Sequence, residues 1–390
     1  MLHLSFDSGT ILLKGTEEEL APVRSLVKYD ERVKCHRAEA YCYAPIIRLL
    51  HGKVEYKDEA RNYQQLPLDL NTDKTPRPHQ AEAFRAWCEI KCRGVVVLPT
   101  GSGKSFLAQM AISHIKRNTL IVVPTIDLMH QWTEQLEEAY GMKVGMLGGG
   151  VKDVREITVS TYDSALLMME FLGDQFGFLI YDECHHLPGE RSRLSAIMSL
   201  APYRMGLTAT PERNDDGEDV LYRILGPLCY RQDIDQMRGD VLAPYVVNRV
   251  ELELDEDEAI AYEENRQIYK DFLTENGINF GSGDGWAKFM GMVARQPNGK
   301  QAFKAYLTQR RIARSGRAKL REIWNIFRRH KGARIIVFTA DNDTAYEIGK
   351  TFYLPVLTHH TKSAERKEML TLFRSGEYPV IVTSKVLNEG

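Results

Sequence analysis

The sequence predicts an α/β chain: two parallel-sheet domains, the second incomplete, with a small N-terminal α+β module and a helical insertion. Three observations carry this. From about residue 80, short apolar runs at 95–98, 120–123, 157–160, 178–181 and 205–207 alternate with helical stretches, the pattern of parallel strands buried on both faces. Further apolar runs at 334–338, 355–358 and 380–383 repeat it. Ahead of both, residues 2–6 and 11–14 flank Gly9 and predict a hairpin.

The elements follow in order. A helix is expected at 44–51, with Pro45 in its first turn and Gly52 at its end, closing a module of residues 1–62. Pro67 and Pro76 mark 63–76 as a linker. The first parallel-sheet domain is expected over 77–245, the insertion over 246–300 and the second domain over 301–390. An amphipathic helix at 315–330 places Leu320, Ile323, Trp324 and Phe327 on one face. Trp132 and Trp324 are expected in the core. The second sheet is expected to be unfinished at Gly390.

Composition narrows the classes. The 390 residues are 43% hydrophobic, with no apolar run long enough for a membrane span and no secretory signal pattern. A cytoplasmic location, with no membrane partner, is expected. Six scattered cysteines suit reduced thiols. Cys88 and Cys92 stand one helical turn apart with no second Cys/His pair nearby, so they read as a helix face rather than a metal site. The net charge of −2 hides segregation: residues 251–264 carry eight acids and no Lys or Arg, whereas 300–334 carry twelve Lys/Arg against Glu322 alone. That basic block suits either a solvated face or a polyanion contact, and part of it can pair with the acidic stretch.

The chemistry sits at two places 78 residues apart. Thr100, Gly101, Ser102, Gly103, Lys104 and Ser105 lie between an apolar run and a helical pattern. Leu98 stands where the strict phosphate-loop template has its first glycine. The two glycines let backbone N–H groups turn inward around phosphate, and the helix N-terminus adds its dipole. Lys104 would reach the terminal phosphates, and the Ser105 hydroxyl would ligate magnesium. Asp182 and Glu183 end the apolar run at 178–181, where open α/β sheets bind ligands. Asp182 would hold the magnesium and Glu183 would polarise the attacking water, leaving His185 to hydrogen-bond across the site. Thr208 and Thr210 follow another strand and could relay the state of the γ-phosphate. A nucleoside triphosphate and Mg2+ are therefore the expected cofactors.

In order, Arg77 to Gln80, the phosphate loop, the Asp182-Glu183-Cys184-His185 box and Leu207 to Pro211 resemble the first RecA-like motor domain of superfamily 2 helicases. Segments 335–340, 358–361 and 382–390 resemble the second, as far as motif V. The resemblance implies nucleotide contacts at Gln80 and Gly390. Strand contacts or coupling are implied at Thr125, Thr161, Thr361, Lys362 and Thr383. Residues 27–47 are similar to the damage-recognition module of the XPB branch, and Arg213 and Asp215 flank the place of its Arg-Glu-Asp element, where Asn214 replaces the glutamate. Residues 262–277 resemble its thumb. His79 replaces the aromatic before Gln80, Asn388 replaces an aspartate, and the family's motif VI arginines are absent from this sequence.

The resemblance implies an ATP-driven 3′–5′ DNA helicase or translocase in nucleotide excision repair. It would act on single-stranded, junction or damaged DNA, beside a nuclease. Two alternatives are a restriction-system motor subunit and an ATP-binding DNA- or partner-binding module without efficient turnover.

Overall fold

The computed structural model describes residues 1–209, 217–233, 246–281 and 284–384. The chain divides into two compact units, Met1–Tyr245 and Val246–Gly390.

The first unit opens with a five-stranded sheet. Strands Leu2–Asp7 and Thr10–Lys14 form the expected hairpin, turned by Ser8 and Gly9 at φ 47° and 75°. Two left-handed residues in a two-residue turn match the twist of the flanking strands, which is why a glycine stands there. Leu2, Leu4, Ile11 and Leu13 alternate onto one face, where Leu20, Val23, Ile46 and Leu50 cover them. The helix Tyr43–Leu50 supplies the last two. Strands Lys28–Asp30, Cys35–Glu39 and Tyr56–Glu59 complete the sheet. They carry too many polar residues to stand out in the sequence.

Residues 63–76 are not a free tether. Leu68 is buried in the core of the following domain, Leu66 packs against it, and Gln65 bridges Arg117. The Arg117 guanidinium lies 5.4 Å from the Tyr63 ring centroid and 5.1 Å from that of Tyr203.

An eight-stranded sheet forms the body of this unit. Its spatial order is Leu228–Arg231, Arg93–Val97, Tyr203–Thr208, Phe178–Asp182, Thr119–Val123, Ile157–Thr161, Gly145–Gly148 and Val151–Asp153. All neighbours are parallel except the last pair. Burial on both faces explains the continuous apolar runs. Val96, Ile121, Ile180 and Met205 face Trp87, Leu107 and Trp132, while Val95, Val97, Leu120 and Val122 face Tyr162, Met169 and Leu221. The strands at Gly145–Gly148, Val151–Asp153 and Leu228–Arg231 were not evident in the sequence, because glycine weakens the first pair's signal and the third is short.

The second unit begins with three helices, Glu256–Glu275, Gly285–Arg295 and Gly299–Ser315. Phe272 and Phe289 are fully buried between them, with Ala302, Phe303 and Tyr306 against the same cluster. The expected boundary at 300 therefore falls inside a helix. Its apolar face completes the insertion's core, so the helical unit runs on to Ser315. The basic block is likewise two helices, broken at Gly316, with the second at Arg317–Arg329. Leu320 and Ile323 pack toward Ala345 and Ile348 of the second sheet's layer. Trp324 departs from expectation. It is 52% exposed and stacks on Phe352 at the surface. Strands Ile335–Phe338, Val380–Thr383 and Val356–Leu357 form a parallel three-stranded sheet, flanked by helices Asn342–Phe352 and Ser363–Ser375.

Candidate active site

Strand register puts the chemistry of the first unit on one edge. Thr208 pairs with Val97, Asp182 with Leu207, and Thr161 with Val123. The phosphate loop, the carboxylates, Thr125, Thr161 and Thr208 therefore all lie at the carboxyl ends of adjacent parallel strands. Ligands of open α/β sheets bind on that edge.

The loop is shaped by its glycines. Gly101 and Gly103 have φ 81° and 88°, a region that side-chain-bearing residues enter at a cost. At Gly103 a Cβ would also stand 2.3 Å from Gln80 Nε2. That side chain donates to the Ser102 and Gly103 carbonyls at 3.2 Å each, while its Oε1 accepts from Arg77 N at 2.9 Å. His79 Nε2 adds a 2.9 Å bond to the Ser102 carbonyl. Gln80, proposed from the sequence as an adenine contact, here has both ends of its amide on the chain's own backbone, where it props the loop.

Beyond the loop, the helix Lys104–Ile115 starts with Gly103 as its cap, so its first N–H groups open toward the loop's concavity. Ser102 Oγ is buried and has no hydrogen-bond partner among the described residues. Thr100 and Gly101 are exposed, and Ser105 is half-buried on the first turn.

Lys104 and Glu183 form a largely buried ion pair, Nζ to Oε1 3.0 Å. Glu183 reaches it through left-handed backbone, φ 46°, which turns its side chain away from that of Asp182. Asp182 accepts from Trp132 Nε1 at 2.8 Å and from Glu183 N at 3.0 Å. Burial holds its carboxyl above the ordinary carboxylate range, against the pull of Lys104 and Trp132. Tyr162 Oη donates to the Asp182 carbonyl at 3.0 Å and fixes the strand end from the other face.

These groups suit a triphosphate with a hard divalent cation. Inward N–H groups and an ammonium suit phosphate, and the Ser105 hydroxyl and Asp182 carboxylate are the oxygen donors magnesium prefers. Asp182 is a buried anion whose cost a cation would relieve.

His185 Nδ1 meets Thr208 Oγ1 at 3.0 Å, and Glu183 Oε2 lies 3.5 Å from the same nitrogen. The carboxylate box is thereby tied to the next strand's end. Thr125 and Thr161 cap helices Ile126–Tyr140 and Tyr162–Leu172, accepting from Leu128 N at 3.2 Å and Ser164 N at 3.3 Å. Each cap contributes about 1 kcal/mol. The Thr161 hydroxyl also donates to Ser164 Oγ at 3.0 Å, and both capped helix N-termini offer further N–H groups to an anion. Trp132 and Tyr162 were not identified as site residues from sequence. Their partners are 50 and 20 residues away, and local pattern carries no such signal.

In the second unit, Thr361 Oγ1 accepts from Thr358 N at 3.0 Å, and Lys362 is exposed at the head of helix Ser363–Ser375. Thr383, the last residue of a central strand, is fully buried, and its hydroxyl donates to the Ser384 carbonyl. Thr210, Arg213, Asp215 and Gly390 lie outside the described residues.

A phosphate loop and strand-end carboxylates on a parallel sheet, with a histidine tied to the neighbouring strand, form a site suited to a nucleoside triphosphate. Comparison with known proteins narrows the class. Residues 4–60 match the xeroderma pigmentosum group B helicase damage recognition domain, 73–213 the type III restriction enzyme res subunit, and 311–390 the helicase conserved C-terminal domain. The chain is 39% identical to the DNA 3′–5′ translocase XPB2 of Sulfurisphaera tokodaii, over 100% of this chain and 87% of that one. It belongs to the XPB family of helicases and translocases. The DNA 3′–5′ helicase XPB of Mycobacterium tuberculosis is 26% identical over 76% of this chain, which spans 49% of that protein's length. Among solved structures, Saccharomyces cerevisiae Dbp5 bound to RNA and ADP BeF3 shares the fold at 13% identity and TM-score 0.51, covering 82% of this chain and 72% of that one.

Proposed function

We propose that this chain is an ATP-dependent DNA helicase or translocase, moving 3′–5′ on or into duplex DNA in nucleotide excision repair. The observation that carries the reading is the Lys104–Glu183 pair beside buried Asp182, on the same chain as a damage-recognition module. The γ-phosphate of ATP would compete with Glu183 for the Lys104 ammonium. Released, Glu183 can accept a proton from water, while Lys104 neutralises phosphate charge. Ser105 and Asp182 would hold Mg2+, which supplies further charge neutralisation. His185 and Thr208 would carry the state of that site to the adjoining strand end. Strand grip through helix N-termini and backbone groups tolerates any base sequence, as a tracking motor requires.

Steady-state hydrolysis tests this. Turnover should rise with DNA and fall at least about 100-fold in both Lys104→Ala and Glu183→Gln, the scale of losing a charge-stabilising or proton-accepting group. Equal turnover with and without DNA counts against the proposal. Strand displacement on 3′- and 5′-tailed duplexes of DNA and RNA reads polarity and substrate. Co-purification tests a companion nuclease. A restriction-system motor would share the segment 73–213, but the module at 4–60 favours the repair reading.

A further inference from the structure

We infer that Cys88, Cys92 and His114 form a binding site for a soft divalent cation, zinc by preference, that clips together the two helices supporting the phosphate loop. The side-chain ligand atoms of the three residues lie within 4.8 Å of one another, and no other such group of three occurs among the described residues.

The backbone builds the cluster. Helix Pro78–Glu89 carries Cys88 and ends before Cys92, so the two thiols do not share a helix face. Lys91 and Cys92 both take left-handed φ, 62° and 57°, which side-chain-bearing residues adopt only when the surroundings impose it. Lys91 N and Cys92 N donate to the Cys88 and Trp87 carbonyls at 2.9 and 3.0 Å, doubling the chain back so that Cys92 returns to Cys88. His114 arrives from the last turn of helix Lys104–Ile115, its ring held edge-on by Phe84 at 5.4 Å.

The donor set selects the metal. Two thiols and an imidazole, with no carboxylate among them, favour zinc over magnesium or calcium. A tetrahedral zinc site has ligand–ligand edges of roughly 3.5–3.8 Å. The cluster must therefore tighten by up to about 1 Å from its present spread. Cys88 is half-buried and His114 exposed, so both can move, and water can take the fourth position. Uptake of a metal by the two thiols displaces their protons, so binding should strengthen as pH rises. Cys229 is not needed: its thiol donates to the Val95 carbonyl at 3.2 Å.

The consequence lies at the nucleotide site. Gln80 begins one helix and braces the Ser102 and Gly103 carbonyls, while Lys104 begins the other. A metal across their far ends would fix the brace against the loop.

The test uses the full chain, reduced and stripped of metal, titrated with Co2+ and then Zn2+. One cobalt per chain should bind with a thiolate-to-metal charge-transfer band and tetrahedral visible bands, and zinc but not excess magnesium should remove them. Cys88→Ser should weaken the charge-transfer band, and Cys88→Ser with Cys92→Ser should abolish it. His114→Ala, at an exposed position, should keep a weaker band and bind at least about tenfold less tightly. Zinc should also raise the melting temperature of the parent chain and not of Cys88→Ser with Cys92→Ser. The inference is overturned by absence of a thiolate band, or by a band unchanged in all three variants. Recovery of a Cys88–Cys92 disulfide from a chain that takes up no cobalt when reduced would overturn it equally.

Discussion

Trp132 shows how much one side chain adds to the site. As an apolar residue on the buried face of helix Ile126–Tyr140 it satisfies a packing requirement, and its indole N–H also holds a buried carboxylate. A hydrogen bond to a charged group contributes about 1.5–3 kcal/mol. Trp132→Phe keeps an aromatic ring and removes that donor. Magnesium-dependent ATP affinity should then fall about tenfold, by the strength of one such bond, while metal-free nucleotide binding changes little. Titrations in magnesium and in EDTA separate the two, and an equal loss in both would assign Trp132 to packing alone. Lys104, Ser105, Asp182 and Glu183 are legible as a candidate site because their chemistry is written in adjacent residues. Trp132, Tyr162 and the true position of Cys92 are not, since each depends on a distant backbone segment.

At the scale of elements, charge partners decide what each segment tolerates. Asp30, on the edge strand of the N-terminal module, accepts from Arg32 at 2.8 and 2.9 Å and from Arg37 at 3.0 Å. Arg32 and then Arg37 hold its carboxyl well below 3.8. A depressed carboxylate contributes stability above its unfolded value, and that contribution is lost as pH falls below about 3.8 toward the folded value. Thermal scans should show Asp30→Asn less stable than the parent at pH 6, with the difference shrinking toward pH 3. A constant difference would point to lost hydrogen bonds without the charge linkage. The basic block resolves similarly. Arg317 pairs with Asp255, Asp257 and Glu258, and Arg321 with Asp255, so part of the block neutralises the acidic stretch. Arg328 and Lys331 remain exposed and have no carboxylate partner among the described residues. Replacing both by alanine should reduce the magnitude of the log–log salt slope of DNA binding by about 1.8, two phosphate contacts' worth. Arg317→Ala with Arg321→Ala should leave the slope and lower the melting temperature instead. Filter binding from low to moderate salt distinguishes these outcomes.

Across the whole molecule, one sheet edge gathers residues spread from Gln80 to Thr208, and parallel pairing makes that possible. Each strand end delivers its residue to the same side, and each crossover helix begins there with its N-terminus free to meet an anion. The sequence by itself determined the α/β class, the phosphate loop, the strand-end carboxylates and the N-terminal module, because local periodicity and adjacent residues encode all four. Tertiary structure alone decided that Glu183 faces Lys104, that Trp132 holds Asp182, that Thr383 is buried, and that Cys88 and Cys92 meet His114. It also split the basic block between acidic partners and solvent. Such pairings join residues tens of positions apart. They are fixed by strand order and by a few left-handed backbone angles, which a linear pattern of side chains does not contain.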